Sequence, residues 1–206
     1  MKRFCIYLTV IFLSVLSVRA ESRRFLQTLH PGIEWGYTAT AFSYHHYNYL
    51  DEYIGFRIDD KGWDYTYHSN AYVLGTLGFD IIPVLNLRVS CGFQGISKDR
   101  RVIPLIGRLS YFPDCTWEDG VFFFTEAEVV LSAQDRYRNI TGGQAGTGYR
   151  FTLTPRTALD FHIGARIVYD EPDVWDPLEE GYISERNIKL SNAWYFALNI
   201  GVSLSF

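Results

Sequence analysis

The stretch "NAWYFALNIGVSLSF", residues 192–206, alternates without a break. From Trp194 onward every second residue is large and apolar: Trp194, Phe196, Leu198, Ile200, Val202, Leu204 and Phe206. Between them stand Tyr195, Ala197, Asn199, Gly201, Ser203 and Ser205. Successive side chains of a strand point to opposite faces, so the segment reads as a strand with one wholly apolar face and one largely polar face. A helix would need its apolar residues three and four apart.

The other end of the chain reads differently. Residues 1–20, "MKRFCIYLTVIFLSVLSVRA", carry Lys2 and Arg3, then an apolar run, then small residues at Val18 and Ala20. That is the layout of a cleaved secretory signal. The run is short for a spanning helix, which needs about 20 apolar residues. Cleavage is expected after Ala20, leaving one domain over residues 21–206. Removing Lys2, Arg3 and Arg19 deepens the formal charge of −4 by three. An acidic chain without a basic run is a poor nucleic-acid binder, because phosphate contacts need clustered Lys and Arg. Aromatic residues make up 17% of the chain, Tyr and Trp prominent among them; such amphipathic rings favour membrane interfaces.

The terminal pattern recurs. Alternating segments lie at about 33–43, 70–82, 86–96, 102–112, 121–132, 143–154, 157–169 and 192–206, separated by turn residues. One row along each is free of charge, for example Ile33, Trp35, Tyr37, Ala39 and Ala41 in the first, or Leu159, Phe161, Ile163, Ile167 and Tyr169 in the seventh. The other row holds Glu34, Asp80, Arg88, Arg108, Glu126, Glu128, Arg150, Asp160, His162 and Arg166. Repeated segments of this length and pattern are the signature of a transmembrane β-barrel. The links "PVL", "PDCTWEDG" and "TPRT" are short, and those after the first, fifth and seventh segments are longer. Short periplasmic turns and longer outer loops give the same alternation. The fold expected is all-β: an eight-stranded antiparallel up-and-down transmembrane β-barrel.

With these segments and the ending "NIGVSLSF", the chain resembles the small eight-stranded outer-membrane barrels of Gram-negative bacteria, the OmpA/OmpX-like, porin-superfamily type. The resemblance implies residence in the outer membrane and contact with its lipid and lipopolysaccharide. It also implies handling by the outer-membrane assembly machinery, with Phe206 as the assembly signal. No family-specific functional motif accompanies it.

Eight strands leave an interior just wide enough for side chains to fill, so the polar row is expected to form an ion-paired plug and not a solute pore. Glu126 and Glu128 face inward together, with Arg108 and Arg150 as their expected partners. Asp160, His162 and Ser203 admit a hydrolytic triad, although a histidine satisfied within a polar plug, with no substrate access, accounts for them better. Exposed aromatics can anchor a partner. The first outer loop concentrates them, and Tyr47, Tyr49, Tyr53, Trp63 and Tyr65 are the candidates for an extracellular ligand or protein. In this loop "IGFRIDDKGWDYTYH" reads as a hairpin turning at Asp60 to Gly62. His45, His46 and His68 have no ligand spacing, so neither a metal nor another cofactor is expected. Cys91, mid-strand, and Cys115, in a turn, are expected to be free thiols.

"YHSNA", residues 67–71, is similar to the His-x-Ser-Asn motif of lipid A deacylases. Here His68 and Ser69 are adjacent, so a strand would send them to opposite faces and His68 could not readily take the Ser69 proton. The expectation is a non-enzymatic barrel with an envelope-structural or loop-mediated binding role; the alternative is a lipid A or phospholipid hydrolase using His68 and Ser69.

Overall fold

The computed structural model describes residues 29–51, 55–97, 100–133, 140–176 and 181–206. The expected signal segment and Tyr53 lie outside them. Ten strands follow in chain order: β1 (Leu29–Leu50), β2 (Arg57–Ile82), β3 (Leu85–Ser97), β4 (Arg100–Tyr111), β5 (Gly120–Ala133), β6 (Thr141–Thr154), β7 (Thr157–Asp170), β8 (Trp175–Asp176), β9 (Gly181–Tyr182) and β10 (Ile188–Ser205). Eight of them close into an antiparallel barrel in the order β1-β10-β7-β6-β5-β4-β3-β2, and β8 pairs with β9 in a small hairpin of its own. Closure comes from β1 on β10, with Gly32 opposite Ser205 and Tyr44 opposite Trp194.

The uncharged rows face outward. Tyr37, Val73, Phe93, Phe123, Phe151, Ile163 and Ile200 are all exposed large apolar residues. Inward lie most of the ionisable groups: Glu34, Arg88, Arg108, Glu128, Arg150, Asp160, His162 and Arg166 are each at most 5% exposed. A sheet folded in water puts its charges on the wet face and its apolar row inside. This barrel does the opposite, as a wall facing hydrocarbon requires.

The interior is not uniformly polar, which corrects the expectation of a filled polar lumen. At the end formed by the short turns, Phe112, Phe122 and Phe124 pack together. Tyr72, Leu74 and Ile106 form a further cluster. Towards the loop end Ile96, Val102, Ile140 and Val168 close the bore, with Val130 and Tyr195 against them. Glycines make room for the rings: a Cβ on Gly148 would meet the Phe122 ring, and one on Gly146 would meet the Phe124 ring. The β4–β5 turn folds back over the turn end, where the Phe112 and Thr116 amides donate to the Val84 and Pro83 carbonyls at 2.8 and 2.7 Å.

Two features of β1 and β2 depart from the sequence reading. Both strands run far past the barrel rim, to 22 and 26 residues. Asp60 to Gly62 is therefore not a turn but part of the first stretch of β2, paired with Tyr47, His46 and His45. The chain reverses instead between Asp51 and Phe56, where the Asp51 amide donates to the Phe56 carbonyl at 3.0 Å and Gly55 takes φ 74°. A positive φ at this position is open to glycine without steric cost. The second departure is a bulge. Thr40 pairs with His68 but Phe42 with Tyr65, so Ala41 stands against two residues of β2. A bulge shifts the alternation by one residue. Ala41 thus leaves the outward row, which continues as Phe42 and Tyr44.

Candidate functional site

The inward carboxylates and guanidinium groups form a chain across the bore. Arg108 on β4 donates through Nε to Glu126 on β5 and through Nη2 to Glu34 Oε1 on β1 at 2.8 Å. Arg88 Nη1 on β3 lies 3.8 Å from Glu34 Oε2, and its Nη2 donates to Asp160 Oδ2 on β7 at 3.2 Å. Arg150 on β6 then grips Asp160 with both ends of its fork, Nε to Oδ1 at 2.6 Å and Nη2 to Oδ2 at 2.7 Å. One connected network thereby ties six strands together. A second fork joins Arg166 to Glu128, at 2.7 and 3.1 Å, and Gln94, with its amide turned, accepts from Arg166 Nη1 at 2.9 Å. Bidentate pairs of this kind hold geometry as well as charge.

The expected partners were half right. Arg108 does pair with Glu126, but Arg150 turns to Asp160 and leaves Glu128 to Arg166. Arg150 and Asp160 are directly opposite in the β6–β7 ladder, and a directly opposed pair is the nearest charge available. Asp80 stands apart at the turn end, accepting from His30, Asn86 and Trp117 at 2.9, 2.7 and 2.8 Å.

No triad assembles from Asp160, His162 and Ser203. Ser203 Oγ accepts from Arg88 Nη1 at 2.7 Å, and Asp160 is held by the two arginines. His162 Nε2 lies 3.3 Å from the Tyr72 hydroxyl and 3.4 Å from Glu34, with its ring edge-on to Phe124. His68 and Ser69 sit in regular register opposite Thr40 and Ala39. His68 is half-buried on the inner face and Ser69 is exposed on the outer wall. The bulge falls just beyond them and does not bring them onto one face.

The aromatic candidates divide. Tyr49 is buried under Val174 and Ile183 of the β7–β10 connection, and Tyr47 packs against the same cluster. Tyr47 also stacks on His45 at 4.9 Å. Trp63 and Tyr65 face outward and are 66% and 75% exposed, in ring contact with Tyr44 and Phe42. The sequence reading missed the exposed pair Trp175–Tyr182 on the β8–β9 hairpin, with ring centroids 5.1 Å apart. Its only signal was two aromatics flanking an acidic loop. His45 pairs inward with Asp64 at 2.8 Å, while His46 faces out to Asp59, also at 2.8 Å. The hydrogen bond from His46, supported by Asn48, holds the exposed Asp59 carboxyl below the usual carboxylate range. Cys91 and Cys115 are both free.

The sequence matches no family model and no curated protein. Among solved structures, the outer-membrane protein OprG of Pseudomonas aeruginosa aligns over 86% of this chain and 95% of its own, at 10% identity and a TM-score of 0.51. The outer-membrane protease OmpT of Escherichia coli aligns over 86% of this chain and 96% of its own, at 10% identity and a TM-score of 0.33. The chain has the fold of a small outer-membrane β-barrel. Barrels of this class carry aromatic girdles at both edges of an apolar band, and the outer wall here shows both. Tyr111, Phe123, Phe151 and Phe206 mark the turn end; Phe42, Trp63, Tyr65 and Trp194 mark the loop end. Trp63 and Tyr65 thus belong to the barrel wall and not to a free loop.

Proposed function

We propose that this protein is an exported, closed, non-enzymatic component of a Gram-negative outer membrane, in contact with lipid and lipopolysaccharide. The side chains in its bore serve structure, and its envelope or binding role lies on the surfaces outside. The observation that carries this reading is the connected Glu126–Arg108–Glu34–Arg88–Asp160–Arg150 chain, capped by apolar clusters at both ends. Buried carboxylates each engaged by a guanidinium are poor nucleophiles and poor bases, and the filled bore leaves a substrate no path to them. What remains for a partner is the β1–β2 ribbon above the girdle and the β8–β9 hairpin beside it.

Two measurements test the reading together. Expressed in a Gram-negative host, the chain is expected in the outer-membrane fraction as a band whose mobility shifts on boiling. Lipid A mass spectra of that host are expected to be identical with and without expression. Loss of an acyl chain, abolished by Ser69→Ala, would establish the hydrolase in its place.

A further inference from the structure

The outer wall is not smooth at the loop-end girdle. A depression of about 470 Å³ lies against β6, β7 and β10, lined by Thr141, Gly142, Gly143, Ile167, Tyr169 and Trp194. A second, of about 320 Å³, lies on the other side of Trp194, where Tyr44, Trp63 and Phe196 face the same Ile167. Ile167 is common to both and Trp194 stands between them. The rings are fixed in place: Tyr169 lies 5.0 Å from Trp194, Tyr44 5.2 Å from Trp63, and Trp63 5.4 Å from Phe196. The Tyr169 hydroxyl donates to Asn192 Oδ1 at 2.8 Å, which anchors that ring from above. A preformed apolar seat binds without the cost of ordering its own side chains.

We infer that this two-lobed depression is a seat for lipid A, with acyl chains lying on either side of Trp194. The inference rests on the outer-membrane reading above, which turns the loop end, and hence this girdle, to the lipopolysaccharide leaflet. Three observations select the occupant. The depression is continuous with the lipid-facing wall, so an acyl chain reaches it without leaving hydrocarbon. It has two lobes sharing one floor, which suits a lipid with several chains better than a single-chain ligand. One step above Trp63 on the same outward face stands exposed Lys61, opposite His46, a cation at the height where a lipid A phosphate would lie. The Asp59 carboxylate, which takes hydrogen bonds from His46 and Asn48, neighbours Lys61 on the same face, so a phosphate would share this cation with it.

The test uses the full mature chain refolded in octyl glucoside and native mass spectrometry, with purified lipid A in one arm and a two-chain phosphatidylglycerol in the other. A one-to-one lipid A adduct is expected, with phosphatidylglycerol retained about tenfold less. Ile167→Trp, which fills the shared floor, and Trp194→Ala, which removes the septum, should each reduce the lipid A adduct by about tenfold. Val89→Trp, on the wall of β3, should leave it unchanged. An adduct that survives either substitution, or phosphatidylglycerol held as well as lipid A, overturns the site. Loss of the boiling-dependent mobility shift would bring down the membrane reading and this site with it. A folded barrel without an adduct overturns the site alone.

Discussion

Asp160→Ala is expected to destabilise the folded barrel by about 3–5 kcal/mol, the usual cost of leaving a buried charge without its partner. Asp160 is 1% exposed and takes hydrogen bonds from both Arg88 and Arg150. Its loss therefore leaves two guanidinium groups facing each other across the bore. The measurement is urea unfolding in detergent micelles, followed by the boiling-dependent mobility shift. Replacing all members of a separate pair should behave differently. Glu128→Leu combined with Arg166→Met and Gln94→Met removes the whole ion pair with the amide that bonds it, and such replacements are often neutral or stabilising by about 1–4 kcal/mol. A water-filled bore would erase the contrast. The single substitution would then cost no more than an exposed pair does, about 0–1 kcal/mol.

The second large effect is expected at Gly146. A Cβ there would come within 2.6 Å of the Gly164 Cα and 2.8 Å of the Phe124 ring, and would also meet the Ile163 carbonyl. Two of these three neighbours are backbone atoms of β7, which have nowhere to go without breaking the ladder. Overpacking of this kind costs about 1–3 kcal/mol and sometimes more. Gly146→Ala should therefore fall at or above the upper end of that range in the same unfolding assay, whereas Gly107→Ala, on the outer wall with nothing within 4 Å of its Cβ, should be close to neutral. Equal effects at the two glycines would mean that β7 and Phe124 do not close on Gly146 as described.

These two positions also show how much of the molecule was legible in its sequence. The outward rows were, because lipid tolerates no charge and leaves an alternation that can be counted residue by residue. The ten inward ionisable residues were legible for the same reason. Their partners were not. Arg150 meets Asp160 because β6 and β7 bring them level, and that register depends on turns whose geometry no local pattern encodes. The parity of Glu126 and Glu128 puts Phe122 and Phe124 on the inner face, but their packing as an apolar core was not legible. It depends on the glycines of β6, which yield space to those rings.

The β1–β2 ribbon failed for a different reason. "DDKG" at 59–62 has the composition of a turn, and turn residues are read locally. Here the ladder with β1 overrides that preference, with Asp59 and Lys61 opposite Asn48 and His46. The bulge at Ala41 then moved Phe42 and Tyr44 onto the outer wall. As a result Trp63 and Tyr65 became part of the girdle beside the lipid seat, while Tyr47 and Tyr49 turned inward. Of the five aromatic loop candidates, Tyr53 lies outside the described residues, and none of the other four stands on a free loop.

The central claim is that the bore is closed along its length by paired charges and packed rings. Current through a planar lipid bilayer containing the purified wild-type chain tests it most directly. The account predicts a baseline without discrete opening steps at neutral pH and moderate voltage. Stable, ohmic single-channel steps from the same preparation would contradict it.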